Sequence, residues 1–231
     1  MANVYLIAEP RIDFDELNKF LDGRDWIADA NATDAELLCE IYGRICFDSF
    51  DAHNNQNITR TRKGNKEYLA NIIKSGHHSV LEHSSVSFVF EGVSRVMTHE
   101  LVRHRVGCAV SQESLRYVRL DPSRIQFVGD DETIDLHGAF YSIVQEYKRL
   151  TDSLDWGSMN NYEKKEASSL LRRLLPQGIA TTIGWSANFR ALRHVINLRT
   201  SPAAEAEIRE VFNEVKRIVV EKYPNVFGDL V

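Results

Sequence analysis

Apolar residues recur at every second position through SSVSFVFEG, residues 84–92, which puts Val86, Phe88 and Phe90 on one side. Such alternation predicts a half-buried strand. NVYLIAE, ahead of Pro10, predicts an opening strand. At Thr33 the pattern changes. TDAE has the spacing of a capping box, and Leu37, Leu38, Ile41 and Ile45 follow at helical intervals. The polar stretch 51–65 predicts a loop, and EYLANIIKSG a helix stopped by Gly76. VSRVMTHELVRHR carries helical spacing through Val93, Val96, Met97, Leu101 and Val102, and LRYVRL predicts another strand.

Further on, residues 134–154 and 161–175 predict two helices, the second stopped at Pro176. GIATTIGWSA is apolar without a clear period. NFRALRHVINLR predicts a short helix, and residues 203–223 a long amphipathic one. No internal repeat, linker or low-complexity tract interrupts the chain. Strands interspersed with helices, without regular βαβ alternation, predict an α+β fold. With 231 residues and 43% hydrophobic content, a single domain over 1–231 is expected.

Charge narrows the partners. A net charge of -5 argues against general binding to nucleic acid or an anionic membrane. It leaves room for small phosphorylated ligands, which need only local donors. Cys39, Cys46 and Cys108 are too few and too irregular for a disulfide framework, and the opening apolar run is too short for a signal peptide or a membrane span. A cytoplasmic protein is expected.

Against that acidic background, ELVRHRVGCAVSQESLRY concentrates donors at Arg103, His104, Arg105 and Arg116. If residues 100–105 close a helix, Glu100 and Arg103 share a face. The arginines would then complement the negative end of the helix dipole, which needs no ligand. The polar run after them offers hydroxyls and backbone donors to a phosphate, so both readings stand. HELVRH resembles HExxH but has one residue too many. His99 and His104 therefore lie on different sides of a helix, and no metal site is expected. Cys108 lies near Arg105, which would favour a thiolate, yet a small packing residue is the better reading. Ser114 lacks the glycines of a nucleophile elbow. Neither a Walker A loop nor a G-x-G-x-x-G pattern occurs.

RHR followed by a polar run ending in S-x-R-Y resembles the signature of the flavin-dependent thymidylate synthases. SGHHSVLEHSSVSFVF resembles the segment before that signature, and RRLLPQGIATTIGWSANFRALRHVINLR the family's C-terminal block. Eight residues separate Arg105 from Ser114, one more than the commonly quoted gap, which marks a longer-gap subtype. The resemblance implies a twisted, mostly antiparallel sheet with several long helices. It implies a homotetramer whose FAD and nucleotide sites are shared between subunits. The reaction would convert dUMP to dTMP, with methylenetetrahydrofolate as carbon donor and NADPH as reductant. A folate tail, a flavin and a nucleotide bring several anionic groups together, and arginine forks would neutralise them.

Carried over residue by residue, Glu100, Arg103, Gln112, Glu113, Ser114, Leu115, Arg116, Arg172 and Arg199 would bind the nucleotide. Arg172 would do so from another subunit, and Arg199 would be catalytic by polarising the uracil ring. Ser85, Arg103, His104, Arg105, Asn188, Arg190 and His194 would contact the flavin, and His83 would lie near the folate. Some members carry a flavin-contacting histidine near Ala203, so that contact is missing or replaced here. Such a mechanism needs no cysteine nucleophile. Three alternatives remain open at this point: the same scaffold acting on UMP or adding a hydroxymethyl group, a nucleotide- or flavin-binding protein without turnover, and an RNA-binding protein.

Overall fold

The structure is a computed structural model that describes residues 2–51, 55, 57, 61–129, 134 and 136–230. Four strands, β1 (Asn3–Ala8), β2 (Ser85–Ser94), β3 (Cys108–Gln112) and β4 (Ala180–Asn188), form one antiparallel sheet in the order β1-β2-β4-β3. Nine α-helices accompany it among the described residues: α1 (Phe14–Leu21), α2 (Asp34–Phe47), α3 (Asn65–Lys74), α4 (Arg95–Leu101), α5 (Leu136–Asp152), α6 (Asn161–Leu171), α7 (Phe189–Arg199), α8 (Ala206–Lys222) and α9 (Pro224–Phe227). The fold is α+β, as the strand and helix pattern predicts.

Local chemistry explains where most elements begin. Thr33 caps α2 through the Glu36 backbone N–H, and the Glu36 side chain returns to the Thr33 backbone, closing the capping box read from TDAE. Asn160 and Glu163 repeat the device at α6. Gly76 adopts φ +72 just past α3, the left-handed conformation that suits glycine at a helix end. Along β2, Val86, Phe88 and Phe90 are buried as the alternation predicts.

Four expectations need correction. α4 is short. It begins at Arg95 because the Ser94 hydroxyl caps it, and it ends at Leu101, with a turn closed by His104 N–H donating to the Leu101 carbonyl. Glu100 and Arg103 therefore do not share a helical face. LRYVRL is not a strand: the Tyr117 and Val118 N–H groups both donate to the Ser114 carbonyl, which curls the chain into a turn. The strand lies earlier, at Cys108–Gln112, bracketed by Asn188 N–H to the Gly107 carbonyl and Glu113 N–H to the Thr182 carbonyl. α6 stops at Leu171, four residues before the expected end, with Arg172 as its C-cap. The loop predicted over 51–65 yields to α3 at Asn65, and its residues 52–54, 56 and 58–60 lie outside the described residues, as does residue 135 of the helix predicted from 134. α1, capped by Asp13, and α9 were not foreseen.

The chain gathers into two compact units. One comprises Met1–Tyr5, Val89–His104 and Val110–Trp185; the other comprises Leu6–Phe88, Arg105–Ala109 and Ser186–Val231. In the first, Phe90 packs on Trp185 with ring centroids 6.1 Å apart. In the second, α8 buries Ile208, Val211, Phe212, Val215 and Val219, the stripe expected of an amphipathic helix. Phe189 sits between Tyr223 and Phe227, with both centroids 5.0 Å away. Arg193 lies within this second unit, its guanidinium donating to the Val226 carbonyl and to both carboxylate oxygens of Asp229. A further apolar cluster joins Leu37 and Ile41 of α2 to Trp26 and Phe50, and Leu17 and Leu21 of α1 pack against it. No helix among the described residues is long and apolar enough to cross a membrane.

Candidate active site

The residues proposed from sequence divide between the two units. Glu100, Arg103, His104, Gln112, Glu113, Ser114, Leu115, Arg116 and Arg172 fall in the first; His83, Ser85, Arg105, Asn188, Arg190, His194 and Arg199 fall in the second.

In the first unit, the antiparallel pairing of β3 on β4 forces the chain to reverse after α4. Arg103 and His104 lie in that reversal rather than on a helix, and Arg103 is exposed. Gln112, at the end of β3, donates through Nε2 to the Thr98 hydroxyl at 3.0 Å, and that hydroxyl donates to the Arg95 carbonyl at 3.0 Å. The start of the polar loop is thereby fixed to α4. The Ser114 turn follows. Its hydroxyl accepts from the Arg116 N–H at 3.4 Å, Leu115 points inward at 7% exposed, and Arg116 points out. A buried leucine beside an exposed arginine anchors the loop and presents a cation. Tyr117 is exposed beneath Lys165, whose ammonium stands 5.1 Å from the ring centroid, and hydrogen bonding to Lys165 lowers the phenol's pKa.

In the second unit, Asn188 ends β4 and caps α7, its side-chain oxygen accepting from the Ala191 N–H at 2.8 Å. Gly107 lies directly against that side chain: a Cβ there would stand 2.6 Å from Asn188 Nδ2, and its φ is +72. Glycine is therefore required twice over, for conformation and for space. Arg190, one residue inside α7, pairs with Glu82 at 2.6 Å, and both are exposed. His83 is stacked face to face on Tyr42, with centroids 3.7 Å apart and planes 1° from parallel. The hydroxyl of Ser84, between His83 and Ser85, donates to the Ala35 carbonyl, and the Ser84 carbonyl accepts from the Phe189 N–H at 2.8 Å. These bonds fix the backbone from which His83 and Ser85 project.

Cysteine chemistry finds no support at the one deeply buried thiol. Cys39 is fully buried, and that burial pushes its pKa up to about 12, keeping it protonated. Cys108 is half-buried on β3. No cluster of three metal-ligating side chains occurs among the described residues.

A family model described as thymidylate synthase complementing protein matches residues 29–225. Flavin-dependent thymidylate synthases from several bacteria align along nearly the whole chain. That of Corynebacterium diphtheriae is 35% identical over 216 residues, covering 90% of this chain and 83% of its own. That of Mycobacterium marinum is 38% identical over 213 residues, covering 88% and 82%. That of Mycolicibacterium vanbaalenii is 37% identical over 217 residues, covering 88% and 82%. The chain belongs to the flavin-dependent thymidylate synthase family.

Reading the sequence for family motifs missed several residues that the geometry ties to the candidate residues. Tyr42 covers one face of His83, Glu82 pairs with Arg190, and Gly107 receives Asn188. Only Gly107 had a local signal, a glycine directly after RHRV; the other pairs join distant positions.

Proposed function

We propose that the protein makes dTMP from dUMP by reductive methylation, with FAD as cofactor, methylenetetrahydrofolate as carbon donor and NADPH as reductant. The observation that carries this reading is the Ser114 turn, which buries Leu115 and presents Arg116 outward beside a hydroxyl held in place. Such a turn suits a phosphate monoester. Glu100, Arg103, Gln112 and Glu113 belong to the same nucleotide-binding set, together with Arg172.

The donor set also fits a flavin dinucleotide. Arg105, Arg190 and His194 are exposed cationic or hydrogen-bonding side chains in one unit, with Ser85 and Asn188, and a pyrophosphate needs such partners. Arg103 and His104 complete the set. When bound, the flavin supplies the reducing hydride; the protein orients and polarises. Arg199, in the last turn of α7, is assigned to the uracil ring, where a guanidinium stabilises negative charge developing on the pyrimidine. The stack of Tyr42 leaves His83 one ring face and its edge, and that free side is assigned to the folate. The chain works as one catalytic domain in the cytoplasm, and as a homotetramer, which sedimentation of the active species tests.

Anaerobic absorbance spectra decide the reading. NADPH should bleach the flavin bands, and dUMP with methylenetetrahydrofolate should restore them and yield dTMP. Turnover of UMP instead would change the substrate. Absence of flavin bands after adding FAD would end the proposal. Arg199→Ala should keep the flavin and lose methyl transfer; undiminished turnover would remove Arg199 from the chemistry.

A further inference from the structure

Arg193 and Asp229 stand outside the residues that the family motifs point to. Arg193 lies near the middle of α7, and its side chain is only 11% exposed. A buried guanidinium is costly unless its fork is met, and one short segment meets it here. Nη1 donates to the Val226 carbonyl and, at 2.7 Å, to one carboxylate oxygen of Asp229; Nη2 donates to the other at 2.6 Å. The guanidinium carbon also stands 5.9 Å from the centroid of the Phe227 ring. Hydrogen bonding to Arg193 lowers the Asp229 pKa, so both partners are charged at neutral pH. The segment that carries Asp229 is itself held. Val226 and Phe227 are fully buried, the Asn225 N–H donates to Glu36 at 2.8 Å, and the Tyr223 hydroxyl donates to Glu9 at 2.8 Å. Arg193 is therefore tied to a fixed point.

That tie bears on the flavin. Arg190 and His194, both exposed, carry flavin contacts in the reading above, and on a helix they stand roughly 60° and 100° around the axis from Arg193. The Asn188 cap fixes where α7 begins. Leu192, Val195 and Ile196 bury one side of the helix, but apolar contact is non-directional and yields to small turns about the axis. A turn of about 20° carries a tip about 6 Å from the axis through about 2 Å, enough to break a hydrogen bond. A planar pair of charged bonds supplies the direction that apolar packing lacks. We propose that Asp229, acting through Arg193, is a positioning residue that sets the rotation of α7 and so places Arg190 and His194 against the flavin. Every residue in this arrangement lies within the second unit. The role rests on the flavin reading above, and its test separates the two.

The variant is Asp229→Asn, which keeps the shape of the side chain and removes its charge. Half of that side chain faces solvent, so the variant should fold. Fluorescence titration of the flavin-free protein should show FAD binding about tenfold more weakly, the worth of roughly one charged hydrogen bond. Without flavin, the amides of α7 should exchange faster with deuterium than in wild type, while those of α2 should not change. With flavin saturating, the visible circular dichroism of the bound flavin should change. Asp229→Glu, which restores the charge, should recover part of the FAD affinity. Val219→Ala, which opens a cavity on the buried face of α8, controls for lost stability: it should melt lower and bind FAD as wild type does. Wild-type FAD affinity in Asp229→Asn would overturn the role. An equal loss of affinity in Val219→Ala would reduce the pair to general stability and also overturn it. If wild type itself binds no FAD, the flavin reading fails and the role falls with it.

Discussion

Arg44 lies at the centre of a buried polar cluster, and Arg44→Met tests how that cluster is held. Arg44 and its partner Glu40 are 0% and 1% exposed. The guanidinium donates through Nε to Glu40 at 2.8 Å, through Nη1 to the Ser49 carbonyl at 2.7 Å and through Nη2 to the Arg62 carbonyl at 2.6 Å. Its carbon lies 4.6 Å from the Tyr68 ring centroid and 5.6 Å from that of Trp26. Glu40 accepts also from Asn65 at 2.8 Å and Trp26 at 3.2 Å. Removing the cation leaves a buried carboxylate with two neutral donors, and two carbonyls lose their partner. Breaking such a pair costs about 3–5 kcal/mol. In a protein of this size that is a fall in Tm of roughly 6–20 °C. Urea titration gives the free energy directly, with an unchanged m value showing that the same unfolding is observed. The double variant Glu40→Met/Arg44→Met removes both charges, and should be more stable than Arg44→Met by about 2 kcal/mol or more, since a coupled pair is not additive. A single variant costing under about 1 kcal/mol, or two additive variants, would refute the view that Arg44 is retained to neutralise Glu40.

Other expectations are simpler. Gly107→Ala forces a side chain onto φ +72 and against Asn188, so it should lower the Tm by several degrees and weaken flavin retention; a variant with wild-type melting and flavin content would contradict the fit described here. Cys108→Ala should turn over normally, and abolished turnover with fold and flavin intact would make the thiol a nucleophile. Hydrogen bonding to Arg193 holds the Asp229 carboxyl below its usual range, against an opposing effect of burial. A folded-state pKa that is depressed contributes stability above the unfolded value, near ~4, which is lost as pH falls through the folded one. Asp229→Asn should therefore be less stable than wild type at neutral pH, and the gap should close in acid; a gap independent of pH would refute the ion pair's role.

Elements whose periodicity coincides with burial were legible in the sequence. The α2 capping box and the alternation of β2 each state a local preference that the fold keeps. β4 was not legible, although it alternates as regularly as β2. Its buried face is Thr181, Ile183, Trp185 and Ala187, and its other face is Ala180, Thr182, Gly184 and Ser186. Small and hydroxyl side chains occupy both faces, so the apolar contrast that reveals a strand is missing. The β3 error has another cause. LRYVRL has aromatic and β-branched residues that suit a strand, but the Ser114 carbonyl captures two N–H groups and commits that segment to a turn. CAVSQ becomes a strand because β4 offers it a ladder, which is a property of the pairing and not of the segment.

The same division explains the candidate site. Its candidates could be named by residue type, since a phosphate or a flavin calls for arginines and hydroxyls wherever the fold places them. What each does was not, because the deciding partners are remote in sequence. Glu82 meets Arg190 across 108 positions, and Tyr42 meets His83 from a different element. Asn188 carries the point furthest. Its sequence position suggests a flavin ligand, while its oxygen already caps α7 and its amide fills the space beside Gly107. A residue so engaged sets the start of α7, and with it the places of Arg190, His194 and Arg199. Loss of Asn188 should therefore disturb the proposed flavin and pyrimidine contacts together. A family motif, which records only that such a residue matters, cannot separate its binding from its positioning; the cap bond can.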